Sequence, residues 1–438
     1  MEELLVESLE EATQPLSSGI RLPNIQRHPN KQLVCGRGFR ETADFCLHQI
    51  HNALFQNQWE QAAELLKSYF QTLEDTSTAK LRAAPEVIWR LGTEVLLHHP
   101  KSTLEDVKSF ADRMKNLGVK NYLKVSLEHV FHLLCLGMTE DAYRHLTVAE
   151  SWRYGDRSAS EEKLIKLIQA HRALLDYKKW AEKRQFMLDN EVDYMSESAY
   201  ALEMSSHFRQ ATGAFKEIIQ YPGVWDTFVQ SYADLLEFYG DPEGVQRLLN
   251  DYAYDSKYPA NPNAHVFLYA FLKRSGEPTE SLIKVLMILH QLVPSHELML
   301  ELNMLLQESG KEEHRQQGLQ VLFSLLDFSS WKEHVGAWNS LAKQMKAALH
   351  GKHSEWLQAE WSSREDWWPA FHFSHYLAKK DWQQSERLAM KKALVAGILL
   401  GKGSKYFTFV VLRGSTSQRK KCKRMKQFVK KHSMAGSG

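Results

Sequence analysis

Asn261-PNAHVFLYAFLKRSGEPTESLIKVLMILHQLVPSHELMLELNMLLQES-Gly310 reads as three helices in a row, with the punctuation between them written out. Asn261 is a good N-cap, and Pro262 suits the first helical position, where its missing N–H is not needed. The first helix runs through Val266, Leu268, Tyr269, Phe271 and Leu272 and stops at Ser275-Gly276. Pro278 opens the second, whose Leu282, Val285, Leu286, Leu289 and Val293 fall at i, i+3, i+4 spacing on one face. Pro294-Ser295 ends it and caps a third (Leu298, Leu302, Leu305, Leu306) that closes at Gly310. Pro262 to Pro294 is 32 residues, near the roughly 34-residue period of a tetratricopeptide helix–turn–helix.

Similar turns recur along the chain. Asn57-Gln58-Trp59 precedes Ala62, Leu65, Leu66 and Tyr69; Leu136-Gly137-Met138 precedes Ala142, Leu146 and Ala149. Tyr239-Gly240-Asp241-Pro242 precedes Val245, Leu248, Leu249 and Tyr252, and Lys380-Asp381-Trp382 precedes Leu388, Ala389 and Ala393. Tyr177-Lys178-Lys179-Trp180 is a fifth, weaker case. In each, a small or polar turn leads to a small or apolar residue that lets helices approach closely. A single hairpin cannot bury its own apolar face, so such units stack. The spacing is irregular and the Trp-x-x-Leu-Gly opening is missing. The expected fold is therefore all-α: a degenerate tetratricopeptide-like helical repeat, an α-solenoid, over residues 42–412. Pro15, Gly19, Pro23 and Pro29 interrupt residues 1–41, which read as a mobile leader. Pro85 and Pro100 are expected to bracket one helix, and Tyr406 to Leu412 fits either a strand or a closing helix.

Composition agrees. The 438 residues suffice for two or three compact domains or one extended solenoid. Gly (22) and Pro (12) are sparse, which suits long helices. The four cysteines (Cys35, Cys46, Cys135, Cys422) are far apart and form no Cys-x-x-Cys pair, against a disulfide framework or a cysteine zinc site. Met1 to Glu11 is acidic, without the order of a secretory signal. The longest apolar run, Ala393 to Leu400, is eight residues, too short to span a bilayer.

Candidate chemistry is thin. His48/His51, His129/His132 (with Cys135) and His372/His375 are i, i+3 pairs that can place two imidazoles on one helical face. No His-Glu-x-x-His motif occurs, and ordinary helix histidines account for the pairs better. Gly397-Ile-Leu-Leu-Gly401-Lys402-Gly403 is one residue short of a phosphate-binding loop and lacks its Ser or Thr. No cofactor or metal is expected. Trp356, Trp361, Trp367, Trp368, Phe371, Phe373, Tyr376 and Trp382 crowd 27 residues. Core packing is the first expectation for them, and a partner groove on Trp356, Trp361, Trp367 and Trp368 the second.

Charge is unevenly placed. Arg419, Lys420, Lys421, Lys423, Arg424, Lys426, Lys430 and Lys431 stand without an acid, leaving 47 basic and 53 acidic groups, a net of −6, in residues 1–418. Residues 413–438 read as a basic tail behind a hinge at Gly414 to Ser417, serving nuclear import or phosphate contact. A solvated helix end is the plain alternative. Removing the tail is expected to leave the helical body folded, since it adds little burial.

Several long segments carry a resemblance: Ser68-YFQTLE-Asp75, Ala83-APEVIW-Arg90, Arg113-MKNLGVKNYLK-Val125, Pro222-GVWD-Thr227, Asn261-PNAH-Val266, Val293-PSHELMLE-Leu302, Trp361-SSREDWWPAFHFS-His375 and Val395-AGILLGKG-Ser404. In these the chain resembles the A-subunit family of TATA-box-binding-protein-associated factors of RNA polymerase I. The first 45 residues lie outside the resemblance. It implies a nuclear, nucleolar, non-enzymatic subunit of the promoter selectivity factor for ribosomal RNA genes. It implies as partners the TATA-box-binding protein, the other polymerase I-specific associated factors and the polymerase I machinery, with promoter DNA reached mainly through the complex. It supplies no catalytic residues. A general helical-repeat adaptor outside transcription is the alternative.

Overall fold

A computed structural model describes residues 37–72, 78–117, 121–153, 155, 158–189, 194–414 and 419–435, and among them helix is the only regular structure. The chain divides into two compact units at Tyr221/Pro222, where Pro222-Gly223 interrupts the helical pattern. The first unit holds α1 (Arg37–Phe55), α2 (Trp59–Thr72), α3 (Thr78–His98), α4 (Leu104–Leu117), α5 (Tyr122–Cys135), α6 (Thr139–Ser151), α7 (Ala159–Asp189) and α8 (Tyr194–Ile218). Each helix packs on the next.

The second unit starts the same way, with α9 (Asp226–Phe238), α10 (Pro242–Tyr254), α11 (Pro262–Arg274), α12 (Thr279–Leu292), α13 (Leu298–Glu308), α14 (Glu312–Leu326) and α15 (Val335–His350). Short helices α16 (Ser354–Ser362), α17 (Trp368–His372) and α18 (His375–Gln384) follow, then α19 (Glu386–Leu400), α20 (Lys405–Arg413) and α21 (Arg419–His432). Here the strict succession ends: α19 packs on α15, α18, α20 and α21. The fold is thus a degenerate helical repeat, as the turns imply. The closing segment from Tyr406 is helical.

The reason for the repeat is visible at single residues. Ala62, Ala142 and Val245, the small residues early in α2, α6 and α10, are buried to 1% exposure or less. Each heads a buried stripe: Leu65, Leu66 and Tyr69 in α2, Leu146 and Ala149 in α6, Leu249 and Tyr252 in α10. The turns before them share one geometry. Gly137 N–H donates to the Leu134 carbonyl at 3.0 Å and Met138 N–H to the Leu133 carbonyl at 2.9 Å. Gly240/Asp241, Gly276/Glu277 and Asn57/Gln58 make the same pair of bonds, which satisfy orphan carbonyls at a helix end. All four pivots have positive φ, from 56° at Asn57 to 76° at Gly137 and Gly240.

Two of the five expected turns are not turns. Lys380-Asp381-Trp382 lies inside α18, and Tyr177 to Trp180 inside the 31-residue α7. Neither holds a Gly or Asn that would accept the left-handed conformation, so nothing stops the helix. Pro85 likewise lies within α3 rather than at its start. The first helix opens at Arg37 instead of 42; residues 1–36 of the expected leader, and Ser415 to Ser417 of the expected hinge, lie outside the described residues.

Glycine substitutions separate these roles. A Cβ on Gly137, Gly240 or the mid-helix Gly213 would meet nothing within 4 Å, so only backbone conformation decides. Gly137→Ala and Gly240→Ala should each cost about 1–2 kcal/mol through the left-handed penalty. Gly213→Ala in α8 should instead gain about 0.5–1 kcal/mol. Urea midpoints of the three variants, moving in these opposite directions, check the assignment.

Candidate functional site

The tryptophan-rich segment is built into the core of the second unit. Arg364, only 8% exposed, lays its guanidinium against the Asp327 carboxylate, with Nε to Oδ1 at 2.9 Å and Nη2 to Oδ2 at 2.8 Å. Its Nη1 donates to the Glu360 carboxylate at 2.9 Å. Trp368 Nε1 donates to the same Asp327 at 2.7 Å, and His372 Nε2 donates to the Leu326 carbonyl at 2.9 Å. Burial, with Lys392 nearby, pushes the His372 imidazole down to about 3. Trp361 and Trp368 are therefore core residues, which corrects their candidacy for a partner groove. Of the four candidates, Trp367 is exposed, and Trp356 is half-buried and stacked on His353 at 4.1 Å.

Beside this core lies a buried ion pair that the sequence reading missed. Lys392 Nζ stands 2.6 Å from Asp381 Oδ2, with both side chains 2% exposed. Tyr406 donates to the same carboxylate oxygen at 2.6 Å. Burial lowers the Lys392 pKa, partly offset by Asp381, and raises that of Tyr406. The triad joins α18, α19 and α20 and is shut off from solvent, so it positions helices and has no route to a substrate. Its one signal in the sequence was a lysine inside an otherwise apolar helical face at Leu388 to Leu400.

A third polar node ties α9, α10 and α11. Asp226 Oδ1 accepts from Tyr252 Oη at 2.8 Å and Asn261 Nδ2 at 2.6 Å. Its Oδ2 accepts from Asn263 Nδ2 at 2.7 Å, and Tyr252 Oη accepts from the Trp225 N–H at 2.7 Å. Asn261 meanwhile caps α11 through the Asn263 N–H at 3.1 Å. Two of the quoted family segments, around Trp225 and Asn261, thus meet in space.

The histidine pairs do not assemble a ligand set: among the described residues no group of three or more His, Cys, Asp or Glu side chains could hold a metal ion. His129 is buried edge-on to His145 at 5.0 Å. Among the described residues neither of its ring nitrogens has a hydrogen-bond partner. Burial first, then Lys115 and the neighbouring histidines, push it down to about 4. A hollow of about 530 Å³ at Asn57, Trp59, Glu60, Glu64 and Pro100 gathers no nucleophile beside a base. Gly397 of the rejected phosphate loop is a packing residue: a Cβ there would come within 2.7 Å of both Phe407 and Val429.

The basic segment differs most from its sequence reading. Arg419–His432 is helix α21, and Cys422, Met425 and Val429 form a buried stripe at i, i+3, i+7. The helix docks on α19 at Gly397, and beyond it Met434 N–H donates to the Ile398 carbonyl at 2.8 Å. All eight basic side chains remain exposed. The expectation that the segment adds little burial is overturned, since a stripe of apolar residues stood between the charges.

The family model for the A subunit of the RNA polymerase I TAFs matches residues 52–412. The human protein named as the A subunit of TATA box-binding protein-associated factor RNA polymerase I is 49% identical over 420 residues, covering 95% of this chain and 93% of its own length. The mouse protein of the same name is 49% identical over 424 residues, covering 96% and 94%. Such coverage extends the likeness into the first 45 residues. Two solved structures also match: the P58(IPK) TPR domain (11% identity, 89% of this chain and 98% of that one, TM-score 0.22), and the human IFIT1 dimer with m7Gppp-AAAA (16%, 87% and 84%, TM-score 0.28).

Two outcomes follow from the buried groups. Lys392→Met should cost about 3–5 kcal/mol, because it strands the Asp381 carboxylate, and the double change with Asp381→Asn should recover most of it. The second concerns pH. His129 and His372 titrate near 6.5 when unfolded and only near 4 and 3 when folded. Between those values the unfolded chain binds more protons, so stability is full above pH 6.5 and falls as pH drops toward 4. Urea midpoints at pH 7 and pH 5 check this, with His129→Leu retaining more of its midpoint at pH 5 than the parent.

Proposed function

The chain belongs to the A-subunit family of RNA polymerase I TAFs, and from that membership we propose that it is a non-enzymatic component of the RNA polymerase I promoter selectivity factor. Its helical surfaces scaffold the TATA-box-binding protein and the other associated factors at the ribosomal RNA gene promoter, for preinitiation-complex assembly and polymerase recruitment. The observation that carries this is the family match across residues 52–412. The protein works in the nucleus and nucleolus, and Arg419, Lys420, Lys421, Lys423, Arg424, Lys426, Lys430 and Lys431 serve import or phosphate contact. Trp356 and Trp367 remain available to a protein partner.

Tagged full-length protein should co-purify with the TATA-box-binding protein and locate to nucleoli. Absence of that association under gentle salt, with exclusion from nucleoli, would sink the proposal in favour of an adaptor outside transcription. Import is tested by changing the eight basic residues to Gln rather than by truncation, because truncation would uncover the α19 surface beneath Val429. The Gln variant should become cytoplasmic, with a grafted import signal restoring nuclear entry.

A further inference from the structure

Helix α21 does not carry its charge alone. It lies against α19, which in turn packs on α15, and it touches α15 directly. Phe428 stands 5.5 Å from the His350 ring, His432 is 5.7 Å from it, and Lys346 Nζ is 5.5 Å from the Phe428 ring. Lys421, Phe428 and His432, at i, i+7 and i+11, therefore share the flank that faces α15. Along that flank α15 presents Lys343 and Lys346, and α19 presents Arg387 and Lys391; all are exposed except the half-buried Lys391. Neither α15 nor α21 contains an Asp or Glu, and α19 has only Glu386 in its first turn. The repulsion is felt where the helices meet: Lys391 is pushed below the usual lysine range by burial first, then by Lys346, Lys343, Arg387 and Lys421.

We propose that Lys343, Lys346, Arg387 and Lys391, together with Lys421 and the outward row Lys420, Arg424 and Lys431, form one preformed three-helix surface for the phosphate backbone of duplex nucleic acid. Like charges held on three packed helices raise the energy of the free protein, and a dense line of phosphates relieves it. Duplex DNA supplies about one charge per 1.7 Å of axis, against which fixed lysines release counterions. An acidic peptide is the weaker fit. It would have to be ordered along the whole face, whereas the duplex arrives already rigid. The lysines and arginines position the duplex without reading its sequence. The proposal rests on the promoter reading above and extends it from a basic tail to the body of the second unit.

The test is fluorescence anisotropy of the full chain with a labelled duplex of arbitrary sequence across a salt series. The body triple Lys343→Gln/Lys346→Gln/Lys391→Gln leaves every α21 charge in place. It should make the slope of log K against log salt shallower by about 0.9 for each phosphate no longer neutralised, up to roughly 2.7, and weaken binding at least tenfold at low salt. The exposed pair Lys343→Gln/Arg387→Gln, farther from packed side chains, should act in the same direction should the triple unfold by circular dichroism. Far-flank changes Arg419→Gln/Lys423→Gln/Lys426→Gln/Lys430→Gln should act less per charge removed. Unchanged affinity and slope in the folded body variants would overturn the surface, as would displacement of the duplex by polyglutamate at equal or lower charge concentration. Co-purification with the TATA-box-binding protein is scored on the same proteins. Its failure in the parent chain sinks the promoter reading, whereas an unchanged body variant with co-purification intact sinks only this surface.

Discussion

Each amphipathic helix here has more apolar surface than one neighbour can cover. A stripe such as Leu65, Leu66 and Tyr69 is buried only if α1 and α3 both lie against α2. That requirement fixes the succession of packed helices, and it fixes the turns too. A chain that must reverse every dozen residues needs a residue that tolerates positive φ, and Gly137, Gly240, Gly276 and Asn57 provide it. Where no such residue stands, as at Tyr177 to Trp180, the helix runs on for 31 residues.

Apolar stacking is non-directional, and the second unit adds directional contacts that choose one register. Asp226 gathers α9, α10 and α11; Asp327 takes the Arg364 fork and the Trp368 indole; Asp381 takes Lys392 and Tyr406. In each case one carboxylate is shared by donors from more than one element, so sliding a helix by a turn would break those bonds and, at Asp381–Lys392, strand a buried charge. The aromatic cluster belongs to this scheme.

How much of this was legible depended on range. Turns were readable because their chemistry is local: Gly240-Asp241-Pro242 contains its own pivot, cap and first helical residue. The i, i+3, i+4 stripes were readable for the same reason. Partners of Asp381 were not, since Lys392 and Tyr406 come from other helices and nothing in a one-dimensional pattern pairs them. The core position of Trp361 and Trp368 was weighed but not separable from an exposed one, because a ring large enough to anchor an interface is also large enough to fill a core. In the basic segment eight cations outnumber the apolar residues, so charge dominates the pattern. Cys422, Met425 and Val429 were in view, and their i, i+3, i+7 spacing was itself the sign of a docked helix.

Gly397 has a consequence beyond local fit. Its missing side chain lets Val429 and Phe407 close over α19, so the last described helix presents its apolar stripe inward and leaves its eight cations exposed. A stack of helices has no intrinsic length limit, because its terminal face resembles the face between any two repeats. The exposed side of α21 thus offers a neighbouring helix charge to desolvate, where a repeat would offer an apolar face to bury.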